Sequence, residues 1–147
     1  METEAGRRYP DLMPEELSLE VMGLRVAAQA WGPPDGPRFL ALHGWLDNSN
    51  SFERLAPLLP GQRIVALDLP GHGLSDWRHR DAEYSVPGWV LVVFEAAEAL
   101  GWQRFSLIGH SMGAAISVVA AGTLPERIER LIEIEGEPML GRVARAL

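Results

Sequence analysis

The chain has 147 residues, a length that suits one domain and leaves little room for a second. Hydrophobic residues make up 47% and charged residues 22%, near globular averages, which sets aside disordered, collagen-like and low-complexity chains. The 13 basic side chains, all Arg, oppose 20 acidic ones for a net charge of -7, so nucleic acid and anionic membranes are poor partners. Without Cys, a disulfide framework, a thiolate nucleophile and Cys-bound zinc are excluded.

The lack of Cys makes the cytosol the default compartment; residues 1–16 read as a polar leader, and Met1 to Glu20 holds no apolar signal-peptide core. Leu17, Leu19 and Val21 then alternate with Ser18 and Glu20 as a strand, and Met22-Gly23 turns the chain into a second strand, Leu24 to Ala30, completing a hairpin. A Gly/Pro loop, Gly32 to Pro37, leads to a buried strand, Phe39 to Leu42, ending at His43-Gly44. The spacing of Phe52, Leu55, Ala56, Leu58 and Leu59 predicts a helix with Ser51 as N-cap and Pro60-Gly61 as its stop. Ile64 to Leu67 repeats the buried-strand pattern and ends at Asp68 and a Pro70-Gly71 turn. A helix from Val86 to Leu100, a strand from Phe105 to Ile108, a helix from Met112 to Thr123 and a strand from Ile128 to Ile134 complete the series. Phe105 to Leu124 is apolar enough to suggest a membrane span, but His110, Ser111 and three glycines divide it into strand, turn and buried helix. The alternation predicts an α/β fold, a mostly parallel sheet with an N-terminal β-hairpin, over residues 17–137. Residues 138–147 would begin a lid or a C-terminal tail, and no internal repeat or linker divides the chain.

The sharpest motif is Gly109-His110-Ser111-Met112-Gly113, between a strand and a helix. A nucleophile elbow holds its Ser in a strained turn there, so that the hydroxyl projects above the sheet, and the flanking glycines avoid Cβ collisions. His43-Gly44-Trp45 ends an earlier buried strand, where open α/β sheets bind ligands. Acyl transfer needs donors aimed at the developing oxyanion, and the backbone N–H groups of Met112 and Trp45 are placed to supply them. Gly44, Trp45, Leu46 and His110 would border the substrate, with Trp45 and Leu46 at the pocket mouth; Trp45 could equally be a packing anchor. The His43 side chain reads as a shaper of loop backbone. Asp68-Leu69-Pro70-Gly71-His72-Gly73-Leu74-Ser75 reads as a tight turn in which Asp68 orients backbone, because acids and bases of this architecture follow the nucleophile in chain order. His79, in the charged loop Arg78 to Asp81, reads as solvated, and the His110 side chain as directed away from the Ser111 hydroxyl.

Together, His43-Gly44-Trp45-Leu46-Asp47-Asn48-Ser49 with Phe52, the Asp68 to Ser75 series and Gly109 to Gly113 resemble the α/β-hydrolase fold superfamily, and the HGWLDN stretch most resembles the serine hydrolase-like proteins and their bacterial relatives. The resemblance runs from about Leu17 to Glu135, with Leu131 to Gly136 similar to the sixth strand and its turn. It implies an eight-stranded sheet, a lid after the sixth strand, and hydrolysis of an ester or related acyl bond in a small molecule with neither metal nor organic cofactor. Ser111 carries over as nucleophile, with Met112 and Trp45 as oxyanion donors.

Two departures stand out. Ser111 is followed by Glu126, Glu129, Glu133, Glu135 and Glu137 but by no histidine, so the general base that serine needs is missing and the chain reads as truncated after about the sixth strand. Glu135 sits where some relatives place their acid, though a turn residue is the simpler reading. Glu133 occupies a position that relatives usually keep apolar; an exposed sheet edge would tolerate it, and there it would help discourage edge pairing, although an exposed last strand leaves a homodimer through that edge plausible. Three functions follow: the nucleophile-bearing part of a serine hydrolase, an inactive short homologue serving as a binding module, or an enzyme that imports its base, from a partner chain or from His72.

Overall fold

The computed structural model of the protein describes residues 13–136. They contain β1 (Glu15–Val21), β2 (Leu24–Trp31), β3 (Arg38–Leu42), β4 (Arg63–Leu67), β5 (Phe105–His110) and β6 (Ile128–Ile134). These strands form one sheet in the order β1-β2-β4-β3-β5-β6. β2 is antiparallel to β1 and β4, whereas β4, β3, β5 and β6 run parallel. Val21 opposes Leu24, leaving Met22 and Gly23 as a two-residue loop with φ of 53 and 75°. Two positive φ values match the right-handed twist of a hairpin.

The strands are longer than the apolar runs that announce them, because ladder partners recruit flanking polar residues. Arg38 opposes Arg63, Trp31 opposes Ile64, and His110 opposes Ile134. β1 starts at Glu15, whose carboxylate takes the Arg63 guanidinium at 2.8 Å.

One predicted element is corrected. The stretch from Ser51 to Leu59 forms two 3-10 turns, Ser49–Phe52 and Ala56–Leu58, instead of a helix. Pro57 lacks the N–H that would bond to Glu53, and its ring would collide with that carbonyl. Asn48 replaces Ser51 as the cap, its Oδ1 accepting the Asn50 N–H at 2.9 Å. The apolar spacing still works, since Phe52 and Ala56 are buried.

Helix α1 (Val86–Ala99) ends one residue before the predicted limit, and α2 (Met112–Thr123) fills its predicted span. The period-two alternation of the central strands divides the core. Leu40, Leu42, Leu67 and Leu107 pack with Trp89 and Val93 of α1 and Ile116 of α2. Phe39, Ala41, Ile64 and Ile108 face the other way, against Phe52 and Ala56. Burial on both faces explains the nearly continuous apolar runs.

Among the described residues β6 is one of the two sheet edges, and Glu133 is exposed there, so its carboxylate stays in water. The apolar stretch from Phe105 divides into β5 and α2, and no helix among the described residues is long and apolar enough to cross a membrane. The segment predicted as a lid or tail, 138–147, lies outside the described residues, as does most of the leader.

Two glycines of α2 provide a paired stability test. A Cβ on Gly113 would overlap the carbonyls of Leu42 and His43, whereas one on Gly122 meets nothing within 4 Å. Gly113→Ala is predicted to cost about 2–3 kcal/mol by overpacking, and Gly122→Ala to gain about 0.5 kcal/mol from helix propensity. Urea denaturation of both variants checks this; equal effects would contradict the close approach.

Candidate active site

The carboxyl ends of β3, β4 and β5 deliver His43, Asp68 and Ser111 to one end of the sheet. Ser111 stands between β5 and α2 with φ 52° and ψ -113°, a conformation that L-residues rarely adopt, and it is exposed. Its N–H donates to the Ile134 carbonyl at 3.1 Å, and its own carbonyl accepts from Ala114 N–H at 2.9 Å, so strand and helix hold the turn from both sides. A Cβ on Gly109 would lie 2.6 Å from the Ala114 Cα, and Gly113 sits beneath the end of β3. The flanking glycines are therefore steric requirements.

Gly44 brings the second loop to this turn. A Cβ at Gly44 would lie 3.3 Å from His110 Nδ1 and 3.4 Å from Ser111 Cβ. Gly44 to Asp47 form a turn closed by Asp47 N–H to the Gly44 carbonyl at 3.2 Å, with Leu46 at φ 58°. Trp45 and Leu46 are 60% and 78% exposed, and Met112 is the first residue of α2. Trp45 also packs edge-on against His72 and Trp89.

His43 fixes this loop. The ring is fully buried, with Nδ1 2.7 Å from the Gly44 carbonyl and Nε2 accepting the Leu69 N–H at 3.0 Å. A carbonyl only accepts, so the proton resides on Nδ1 and the neutral ring ties the β3 loop to the β4 loop. Because the Gly44–Trp45 peptide is trans, holding the Gly44 carbonyl also sets the direction of the Trp45 N–H. Burial pushes the His43 pKa below its usual 6.5, opposed by the bond to Gly44.

Asp68 orients backbone, as its turn-like sequence suggests. It is buried, accepting from Ser49 N–H at 2.7 Å and Leu74 N–H at 2.8 Å. The Ser75 hydroxyl donates to the Asp68 carbonyl at 2.5 Å and accepts from Ala27 N–H at 2.8 Å. The remaining histidines have separate surroundings. His79 is exposed beside Asp81 at 3.3 Å. His110 has Nε2 3.6 Å from the Glu135 carboxylate, which is 84% exposed on a turn residue at φ 50°. His72 is buried with Nδ1 3.3 Å from the Pro70 carbonyl and no hydrogen-bond partner for Nε2. Among the described residues, none of the four histidines is hydrogen-bonded to the Ser111 hydroxyl. The sequence offered no signal for the His110–Glu135 pair, whose partners meet only through the β5–β6 ladder.

The fold and this turn define a class: residues 37–145 match the model of the alpha/beta hydrolase fold family, and the chain belongs to it. Among particular proteins, it is 43% identical over 121 residues to a human serine hydrolase-like protein, covering 82% of this chain and 60% of that one. A Dictyostelium discoideum serine hydrolase-like protein is 44% identical over 122 residues, covering 80% of this chain and 34% of its own length. The chain thus spans less than two thirds of the length of each of these relatives. A hypothetical protein of Pseudomonas aeruginosa with a crystal structure is 56% identical, with a TM-score of 0.81, covering 83% of this chain and 43% of that one. The thioesterase domain of a curacin biosynthetic pathway is 31% identical, with a TM-score of 0.78, covering 90% and 52%.

The His43 bonds carry a pH signature. With its folded pKa depressed, His43 binds its proton more readily in the unfolded chain, so its contribution is complete above about 6.5 and declines as pH falls below that value toward the folded pKa. Urea titrations between about pH 7.5 and 5.5 should show a smaller loss of stability in His43→Gln than in the unmutated protein. Parallel losses would contradict this assignment.

Proposed function

We propose that the chain is the nucleophile-bearing part of a serine hydrolase acting on an ester or related acyl bond of a small molecule. The observation carrying this reading is the exposed Ser111 at φ 52°, framed by Gly109 and Gly113, with Gly44 of the neighbouring loop against it. In the proposed reaction Ser111 Oγ attacks the acyl carbonyl carbon while its proton passes to a general base supplied from outside these 147 residues. The carbonyl oxygen, now anionic, is received by the N–H groups of Met112 and Trp45. Met112 adds the favourable field of a helix N-terminus. The tetrahedral adduct collapses, the leaving group takes a proton from the protonated base, and water then hydrolyses the acyl-enzyme and frees Ser111. Gly44, Trp45, Leu46 and His110 border the substrate. The thioesterase domain among the similar structures and the serine hydrolase-like relatives accord with acyl transfer.

This division of labour has a direct test. A fluorophosphonate should label Ser111, imidazole in the buffer should speed labelling by about tenfold or more by standing in for the base, and Ser111→Ala should abolish it. Absence of Ser111 labelling at every imidazole concentration would contradict the proposal and favour the binding-module reading, since none of the four histidines is bonded to Ser111.

A further inference from the structure

Away from Ser111, at the end of the sheet where β2 stops and β4 begins, lies a cleft of about 810 Å³. Pro33, Pro34, Pro57 and Pro60 line it together with Trp31 and Leu59. Trp31 and Leu59 also pack in the core layer of Phe52 and Ala56, so the cleft is an open continuation of that core. Apolar surface left facing water in this way marks a docking site. Its occupant follows from where the chain enters. Met13, the first described residue, lines the cleft and is 86% exposed. Glu15, also in the lining, opposes Ala30 across the antiparallel ladder and takes the Arg63 guanidinium at 2.8 Å, which fixes the start of β1 beside the cleft.

The sequence before Met13 has its apolar groups at the near end. Glu2, Glu4, Arg7 and Arg8 come first, and Tyr9-Pro10-Asp11-Leu12 follow. Tyr9 stands four residues before Met13, a reach of up to about 14 Å in extended chain. The residue before a proline favours extended backbone, the form that gives this reach. Aromatic rings and proline surfaces are complementary, as in the docking of proline-rich peptides on aromatic grooves. A tethered segment is also present at an effective concentration of about millimolar, so weak contacts suffice for it to fill the cleft ahead of a free partner.

We propose that Tyr9 to Leu12 of this same chain dock in the cleft, with the Tyr9 ring against the prolines and Trp31. The dock clamps the edge strand β1 to the 3-10 turns that follow β3. It lies at the opposite end of β4 from the loops around Ser111 and does not depend on the acyl-site reading.

The chain contains no Cys, so Arg8→Cys gives a single attachment point for a nitroxide spin label. In a proton–nitrogen NMR spectrum the label should broaden the Trp31 indole and Gly61 amide resonances, and most of that broadening should be lost when Tyr9→Ala and Leu12→Ala are added. Without the label, Tyr9→Ala should raise the unfolding constant in urea about tenfold, as loss of a buried aromatic contact does, whereas Tyr9→Phe should leave it unchanged. Substitutions that alter neither the broadening nor the unfolding constant would overturn the dock. A mixture of spin-labelled chain with unlabelled, isotope-enriched chain covers the remaining occupant: broadening of Trp31 in that sample would mean that a second copy supplies the segment, which overturns the proposal as well. Should a variant fail to fold, nuclear Overhauser contacts from the Tyr9 ring to Pro33 or Pro34 in the unmutated chain decide, their presence supporting the dock and their absence overturning it.

Discussion

The first turn of α2 can lie beneath the end of β3 only because residue 113 has no side chain: a Cβ there would overlap the Leu42 and His43 carbonyls. That approach fixes the depth at which the helix begins, and with it the height of Ser111 above the sheet. Ser111 absorbs the resulting geometry in a left-handed φ, held by the β6 carbonyl on one side and by two α2 amides on the other. Such strain persists where its surroundings over-determine it. Here the surroundings are a parallel ladder and a helix N-terminus, each with many other contacts.

Around this constraint, buried polar groups organise the loops. His43 and Asp68 are two of the few polar side chains in the interior, and both spend their hydrogen-bonding capacity on backbone. His43 joins the loop after β3 to the loop after β4, and Asp68 joins the loop after β4 to the 3-10 turn at Ser49. A loop held at the Gly44 carbonyl in this way can present the Trp45 N–H in a fixed direction without reorganising during a reaction, the condition under which such donors are most effective. The fold thus uses ionisable residues as scaffold at the same end of the sheet where Ser111 is exposed.

The parts legible in the sequence were those in which neighbouring residues determine local conformation. Alternation announced β1, the Met22-Gly23 turn announced β2, the apolar runs announced β3, β4 and β5, and the two glycines around Ser111 announced a turn whose steric reason the structure supplies. The apolar spacing from Phe52 to Leu59 predicted a helix, but Pro57 inside that span breaks it into two 3-10 turns. What could not be read depends on residues brought together only by the sheet. Glu135 meets His110 because β6 lies beside β5, and His72 meets Trp89 because the β4 loop folds onto α1. Strand ends such as Arg38 and Trp31 were missed for the same reason, since ladder partners decide them.

The central claim is that two loops, one bearing Ser111 and the other Trp45, form a single oxyanion-binding site. Proton–nitrogen NMR of the protein phosphonylated at Ser111, with imidazole present during the reaction, tests it most directly. The account predicts that the Met112 and Trp45 amide protons both move downfield on adduct formation, as amides do when they donate to an anionic oxygen. An adduct at Ser111 that leaves the Trp45 amide unmoved would contradict it.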